Sequence, residues 1–99
     1  MTITKTQENG KLILALEGRL DTITAPQLES LLIPAFDEVK EVRLDLSKID
    51  YISSAGLCVL FTGQKTAKAK GVSMTLSGVS HEIMEVFQMT GFVDILTIV

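Results

Sequence analysis

Tryptophan is absent from this chain, histidine and cysteine occur once each, and proline only twice. Each scarcity closes a route. A single thiol, Cys58, cannot form an intramolecular disulfide, and its place in an apolar run predicts a buried structural role compatible with a reducing compartment. One histidine, His81, and one cysteine cannot assemble a transition-metal ligand set, so no metal is expected. No apolar run approaches the roughly 18 residues of a membrane span, and no charged-then-apolar leader opens the chain. A soluble, cytoplasmic protein with no direct membrane insertion is expected. Positive charge is also in short supply: nine Lys and Arg face twelve Asp and Glu, for a formal charge of −3. Nucleic-acid binding draws its affinity from clustered basic residues, and anionic lipid from basic runs, so neither partner is expected.

What remains is ordinary globular material. The 99 residues are 46% hydrophobic and 21% charged, which argues against disorder. They suit a single domain, 1–99, that buries roughly two thirds of its unfolded surface. No repeat, low-complexity tract or linker divides the chain.

Asn9-Gly10, between Ile3 to Gln7 and Leu12 to Glu17, is the dipeptide that best tolerates the positive φ angles of a two-residue hairpin. Two antiparallel strands are expected there, followed by "GRLDTIT" as a loop. Thr24 stands three residues before Gln27, a capping-box spacing, so a helix should start near Ala25 and present Leu28, Leu31, Leu32 and Phe36. Pro34 should kink or divide that helix. "EVRLDLS" alternates as a strand does. After the pair Ser53-Ser54, Leu57, Leu60, Phe61 and Gln64 repeat at helical spacing; lysines gather toward Gly71, which should end the helix. "VSMTLSG" reads as a strand. Ser80 should cap a helix that turns Ile83, Val86 and Phe87 inward and ends at Gly91, and Ile95 to Val99 reads as a last strand. The order implies an α/β fold: a mixed β-sheet with an opening antiparallel hairpin and later strands mostly parallel, with helices packed on it.

Ser53 and Ser54 pose the functional question: nucleophile, phosphate acceptor or helix cap. A serine-hydrolase elbow needs glycine two positions before the nucleophile, and Ile52 occupies that place for Ser54. The sole histidine falls on a different helix, so no base is at hand and no enzyme is expected. Neither GxxxxGK[ST] nor GxGxxG occurs, and no nucleotide or other cofactor is expected. Asp21, Asp45 and Asp50 read as turn and loop carboxylates. Serine is a strong N-cap, and a helix N-terminus also favours a phosphate of charge about −1.5 to −2. On these grounds capping is the leading role for the pair, and a phosphate acceptor at the same helix start stays open beside it. Met84 and Met89 read as core or as a partner-facing patch, with core the default for their spacing.

"LDLSKIDYISSAGLCVL" resembles the signature of STAS domains, specifically the small bacterial anti-sigma-factor antagonists. "LALEGRLDTITAPQLE" resembles that family's second strand, loop and first helix, and "VFQMTGFVDIL" its closing segment, with Thr90-Gly91. The resemblance spans nearly the whole chain. It implies a regulator in a partner-switching pathway that binds an anti-sigma factor, itself a serine kinase, and is released when a serine is phosphorylated; a serine phosphatase restores binding. The acceptor's place in the motif, two residues before the glycine, is Ser54, with Ser53 the second choice, so Ser54 is expected both to cap the helix and to accept the phosphate. The partner surface it implies comprises Asp21, Thr22, Ser53, Ser54, Ala55 and Gly56. Ser53 departs from the pattern, because the antagonists often carry aspartate there. That departure keeps a second reading open: a STAS subunit of a membrane lipid transport complex, docked on its ATPase without a phosphorylation switch.

Overall fold

The computed structural model describes residues 1–99. Strands β1 (Thr2–Glu8) and β2 (Lys11–Leu20) form the opening hairpin, and Asn9 and Gly10 adopt φ angles of 49° and 78°. That turn matches the right-handed twist of the strands it joins. Helix α1 (Ala25–Ala35), strand β3 (Glu41–Ile52), helix α2 (Ser54–Lys70), strand β4 (Ser73–Ser77) and helix α3 (His81–Thr90) follow. The sheet order is β1-β2-β3-β4; β1 runs antiparallel to β2, whereas β2–β3 and β3–β4 are parallel.

Because each parallel strand is added on the same side of the last, right-handed crossovers bring α1 and α2 to one face of the sheet. Alternation along the strands agrees. Leu12, Leu14 and Leu16 of β2 and Val42, Leu44 and Leu46 of β3 are buried, while Lys11, Glu41, Arg43 and Asp45 between them are only half-buried. The buried set joins Leu28 and Leu32 of α1, Leu57 and Leu60 of α2, and Ile83 and Phe87 of α3 in one core of 25 residues.

Several expectations need correction. The loop is shorter than expected: β2 continues through Gly18 and Arg19 to Leu20, shifting register twice against β3. Thr24 does not cap α1. Its Oγ1 accepts the Asp21 N–H at 2.9 Å and donates to the Arg19 carbonyl at 2.7 Å, and Gln27 reaches the Met1 carbonyl instead. The cap is dispensable because Ala25 N–H already bonds the Asp21 carbonyl at 2.8 Å and Pro26 has no amide to satisfy. Pro34 lies one residue from the end of α1 and terminates it rather than dividing it.

The last strand is reduced to one bridge. A 3-10 turn over Phe92–Asp94 leads to a segment that touches β4 only at Leu76 and Ile98. Below that point the Gln64 amide is wedged between the two: its Nε2 donates to the Met74 carbonyl at 3.4 Å and its Oε1 accepts the Thr97 N–H at 3.1 Å. Cys58 and Met89 are exposed, not buried. On α2 the core takes Gly56, Leu57, Val59, Leu60, Gly63 and Ala67, and Cys58 falls on the far side of that stripe. Met89 lies in the last turn of α3, where its side chain is 87% exposed, and Met84 is half-buried.

Candidate functional site

The parallel strands β2 and β3 end side by side, Leu20 opposite Ile52, and their last carbonyls and amides decide where α2 can begin. Ser53 N–H bonds the Leu20 carbonyl at 2.9 Å, so Ser53 is still held in an extended conformation, φ −99° and ψ 175°. Extended geometry is what an N-cap requires. The Ser53 Oγ accepts the Gly56 N–H at 3.4 Å and its carbonyl accepts Leu57 N–H at 2.9 Å. Ser53, not Ser54, therefore caps α2.

Ser54 is the first helical residue and is exposed, and its hydroxyl takes no part in the cap. Of the four amides that open α2, those of Gly56 and Leu57 are satisfied by Ser53, which leaves the amides of Ser54 and Ala55 to the solvent. Ala55 is half-buried beside them. The positive end of the helix dipole is thus presented around a free hydroxyl, with no acidic residue in the first turn to offset it.

Gly56 is buried, and its role is close approach. A Cβ there would lie 2.8 Å from both the Leu20 carbonyl oxygen and Leu20 Cγ, and 2.9 Å from Ile52 Cγ1. Only a residue without a side chain lets the first turn of α2 rest on the ends of β2 and β3. That contact seats Ser54 next to the loop that follows Leu20.

The loop, Asp21 to Thr24, is tied internally. Asp21 Oδ1 accepts the amides of Ile23 and Thr24, each at 3.0 Å, and Arg19 Nε lies 3.6 Å from Oδ2. These bonds, the Thr24 amide first, hold the Asp21 carboxyl below its ordinary value, with Arg19 a smaller contribution. The Arg19 guanidinium also lies 4.1 Å from the centre of the Tyr51 ring, two residues before Ser53. Asp21 is a clamp rather than a free carboxylate. Thr22 and Ile23 project outward; Ile23 is 84% exposed.

Ser53, Ser54, Ala55, Gly56, Asp21 and Thr22 are thus gathered where β2 and β3 end, with Gly56 beneath the surface. Ile23, Arg19 and Tyr51 belong to the same region and were not singled out from sequence, although an isoleucine inside a polar loop was a visible signal. Asp45 lies elsewhere, its Oδ1 accepting the Ser47 N–H at 3.0 Å. No cluster of three or more His, Cys, Asp or Glu side chains could hold a metal. His81 pairs with Glu85 at 3.0 Å on the exposed side of α3. The two surface depressions, about 180 and 380 Å³, include neither serine. The serine surface suits contact with a macromolecule better than enclosure of a small one.

Comparisons with known proteins place the chain in a family. An anti-sigma-B factor antagonist of Bacillus subtilis is 32% identical over 81 residues, 82% of this chain and 74% of that protein. BtrV of Bordetella bronchiseptica, named as an anti-sigma factor antagonist, is 34% identical over 99 residues, 99% of this chain and 85% of its own length. SpoIIAA, solved unphosphorylated and phosphorylated, superposes with TM-scores of 0.79 and 0.78 at 15% and 16% identity, over 99% of this chain and 87% and 91% of that one. The STAS domain model matches residues 2–99, and the chain belongs to the STAS domain family.

Proposed function

We propose that this chain is an anti-sigma-factor antagonist that docks on its partner through the surface around Ser54, and that phosphorylation of Ser54 ends the complex. The observation that carries the reading is the division of labour between the two serines. Ser53 spends its hydroxyl on the cap, while Ser54 holds an exposed hydroxyl that the fold does not use. In the modifying step the Ser54 oxygen attacks the γ-phosphorus of ATP, its proton is lost to solvent or a kinase base, and ADP leaves. The new group carries about −1.5 to −2 charges and finds two free amides beside it. The fold tolerates it; a partner fitted to the neutral surface meets a charge that must be desolvated.

The partner in this reading is an anti-sigma factor with serine-kinase activity, and a serine phosphatase returns the chain to its binding form. A cytoplasmic location accords with such partners, and no helix of the chain is long and apolar enough to cross a membrane. The antagonists named among its relatives belong to a family of regulators, not enzymes, and Ser54 is read here as a substrate for another enzyme.

Wild type, Ser54→Ala and Ser54→Asp, used as baits in lysate of the native host, test this directly. A kinase retained by wild type and Ser54→Ala, and bound at least about tenfold more weakly by Ser54→Asp, is expected. Incubation of the purified pair with ATP should place phosphate on Ser54 and not on Ser53. Equal binding by both variants would sink the switch. An ATPase and a permease retained by all three baits would assign the chain to a transport complex instead.

A further inference from the structure

We infer that Ile23 is an apolar anchor that enters a pocket on the anti-sigma factor, and that the Asp21–Thr24 clamp serves to present it. The inference rests on the antagonist reading of the Ser54 surface. Isoleucine gains from leaving water, yet Ile23 is 84% exposed, whereas Ile49, Ile52 and Ile83 are buried. Nothing in this chain covers it.

A loose loop could fold such a side chain back onto the protein. This one is not loose. Asp21 Oδ1 holds the Ile23 and Thr24 amides at 3.0 Å, and Thr24 Oγ1 ties the Asp21 amide to the Arg19 carbonyl. Arg19 is itself steadied between the Asp21 carboxylate and the Tyr51 ring. A side chain fixed in advance loses little freedom when it is covered, which is the property of residues that dominate interfaces.

The occupant follows from position. Leu20, three residues before Ile23, is hydrogen-bonded to Ser53, the neighbour of Ser54. Three residues span at most about 10 Å of chain. A standard interface buries about 800 Å² per partner and is roughly 25–30 Å across. A protein seated on Ser54 therefore covers Ile23 as well. Arg19 and Tyr51, types favoured at interface centres, border the same patch with exposed side chains.

The test titrates the purified anti-sigma factor identified with the wild-type bait against wild type, Ile23→Ser, Ile23→Leu and Ser54→Asp, recording affinity, dissociation rate and melting temperature. Ile23→Ser should weaken binding at least about tenfold through faster dissociation, Ile23→Leu should recover most of it, and melting should not move. Ile23→Ser within twofold of wild type, with Ser54→Asp still strongly impaired, overturns the anchor and leaves the antagonist reading standing. If neither variant is impaired, the anchor and the Ser54 switch both fail. A melting temperature that falls with affinity would assign Ile23 to the fold. Self-association of wild type that Ile23→Ser abolishes would assign the anchor to a second copy of the chain.

Discussion

Adjacent serines at the mouth of a helix have separate duties, and one backbone hydrogen bond decides which has which. Ser53 N–H is held by the Leu20 carbonyl, so the chain stays extended for one residue beyond Ile52 and the helix opens at Ser54. From sequence both serines could cap, and the cap was assigned to Ser54; the reach of β3 past Ser47 moved it back by one. The carboxylate often found at position 53 in related antagonists is also an N-cap residue, so serine there preserves the cap and removes the charge. Gly56 leaves no room for a side chain. Gly56→Ala would force a methyl group against the Leu20 carbonyl, a backbone atom that cannot swing away. A loss of about 1–3 kcal/mol is expected, read as a melting temperature lower by roughly 5 °C or more; an unchanged melting temperature would show that α2 can lift off the strand ends freely.

Among the elements, the Asp21–Thr24 loop owes its order to a charge. Its carboxylate accepts the Ile23 and Thr24 amides, and the Asp21 carboxyl lies below its ordinary value of 3.8 as a result. A lowered folded-state value means that the folded chain prefers the ionised form. The loop's share of stability is therefore fully present above the ordinary value and is lost as pH falls through the lowered one. Protection of the Ile23 and Thr24 amides, taken relative to intrinsic exchange at each pH, should be high at neutral pH and fall selectively in acid, and Asp21→Asn should remove that pH dependence. Protection unchanged by acid at both amides would refute the clamp.

Three helix ends were legible at this scale: Ser80 and Gly91 bound α3, and Gly71 ends α2, as the pattern implied. Two features were not legible, because each depends on a distant partner. The capping box at Thr24 was pre-empted by the Asp21 carbonyl, and the final strand was cut short by Gln64, 33 residues away from the Thr97 amide it occupies. Cys58 was misplaced for another reason. α2 is apolar on more than its buried stripe, so hydrophobicity alone could not say which side faced the sheet.

At the scale of the whole molecule, the sheet has two outer edges defended by different means. The C-terminal segment and Gln64 occupy the outer edge of β4, whereas β1 has no neighbour beyond it. Its register places Lys5 opposite Leu14, on the side of the sheet that carries the core. An inward-facing lysine on an edge strand discourages a second chain from pairing there, because a neighbour would bury the charge. Lys5→Ile should leave the fold intact and produce concentration-dependent self-association in light scattering. A variant that stays monomeric at high concentration would show that the edge is protected by its shortness alone.

The idle hydroxyl of Ser54 has a consequence for how a cell could count with this protein. A chain that stores its state in a new shape must spend part of its binding energy moving between shapes. On the antagonist reading proposed above, the state is a tag at Ser54 rather than a new shape, so no such tax is levied and every untagged copy is ready to bind. Tight binding between two such pools then behaves as a titration: each untagged copy draws one partner from its other commitments, and the release stops when the two numbers match. The end point of the response is set by stoichiometry, with no change of shape required to supply it.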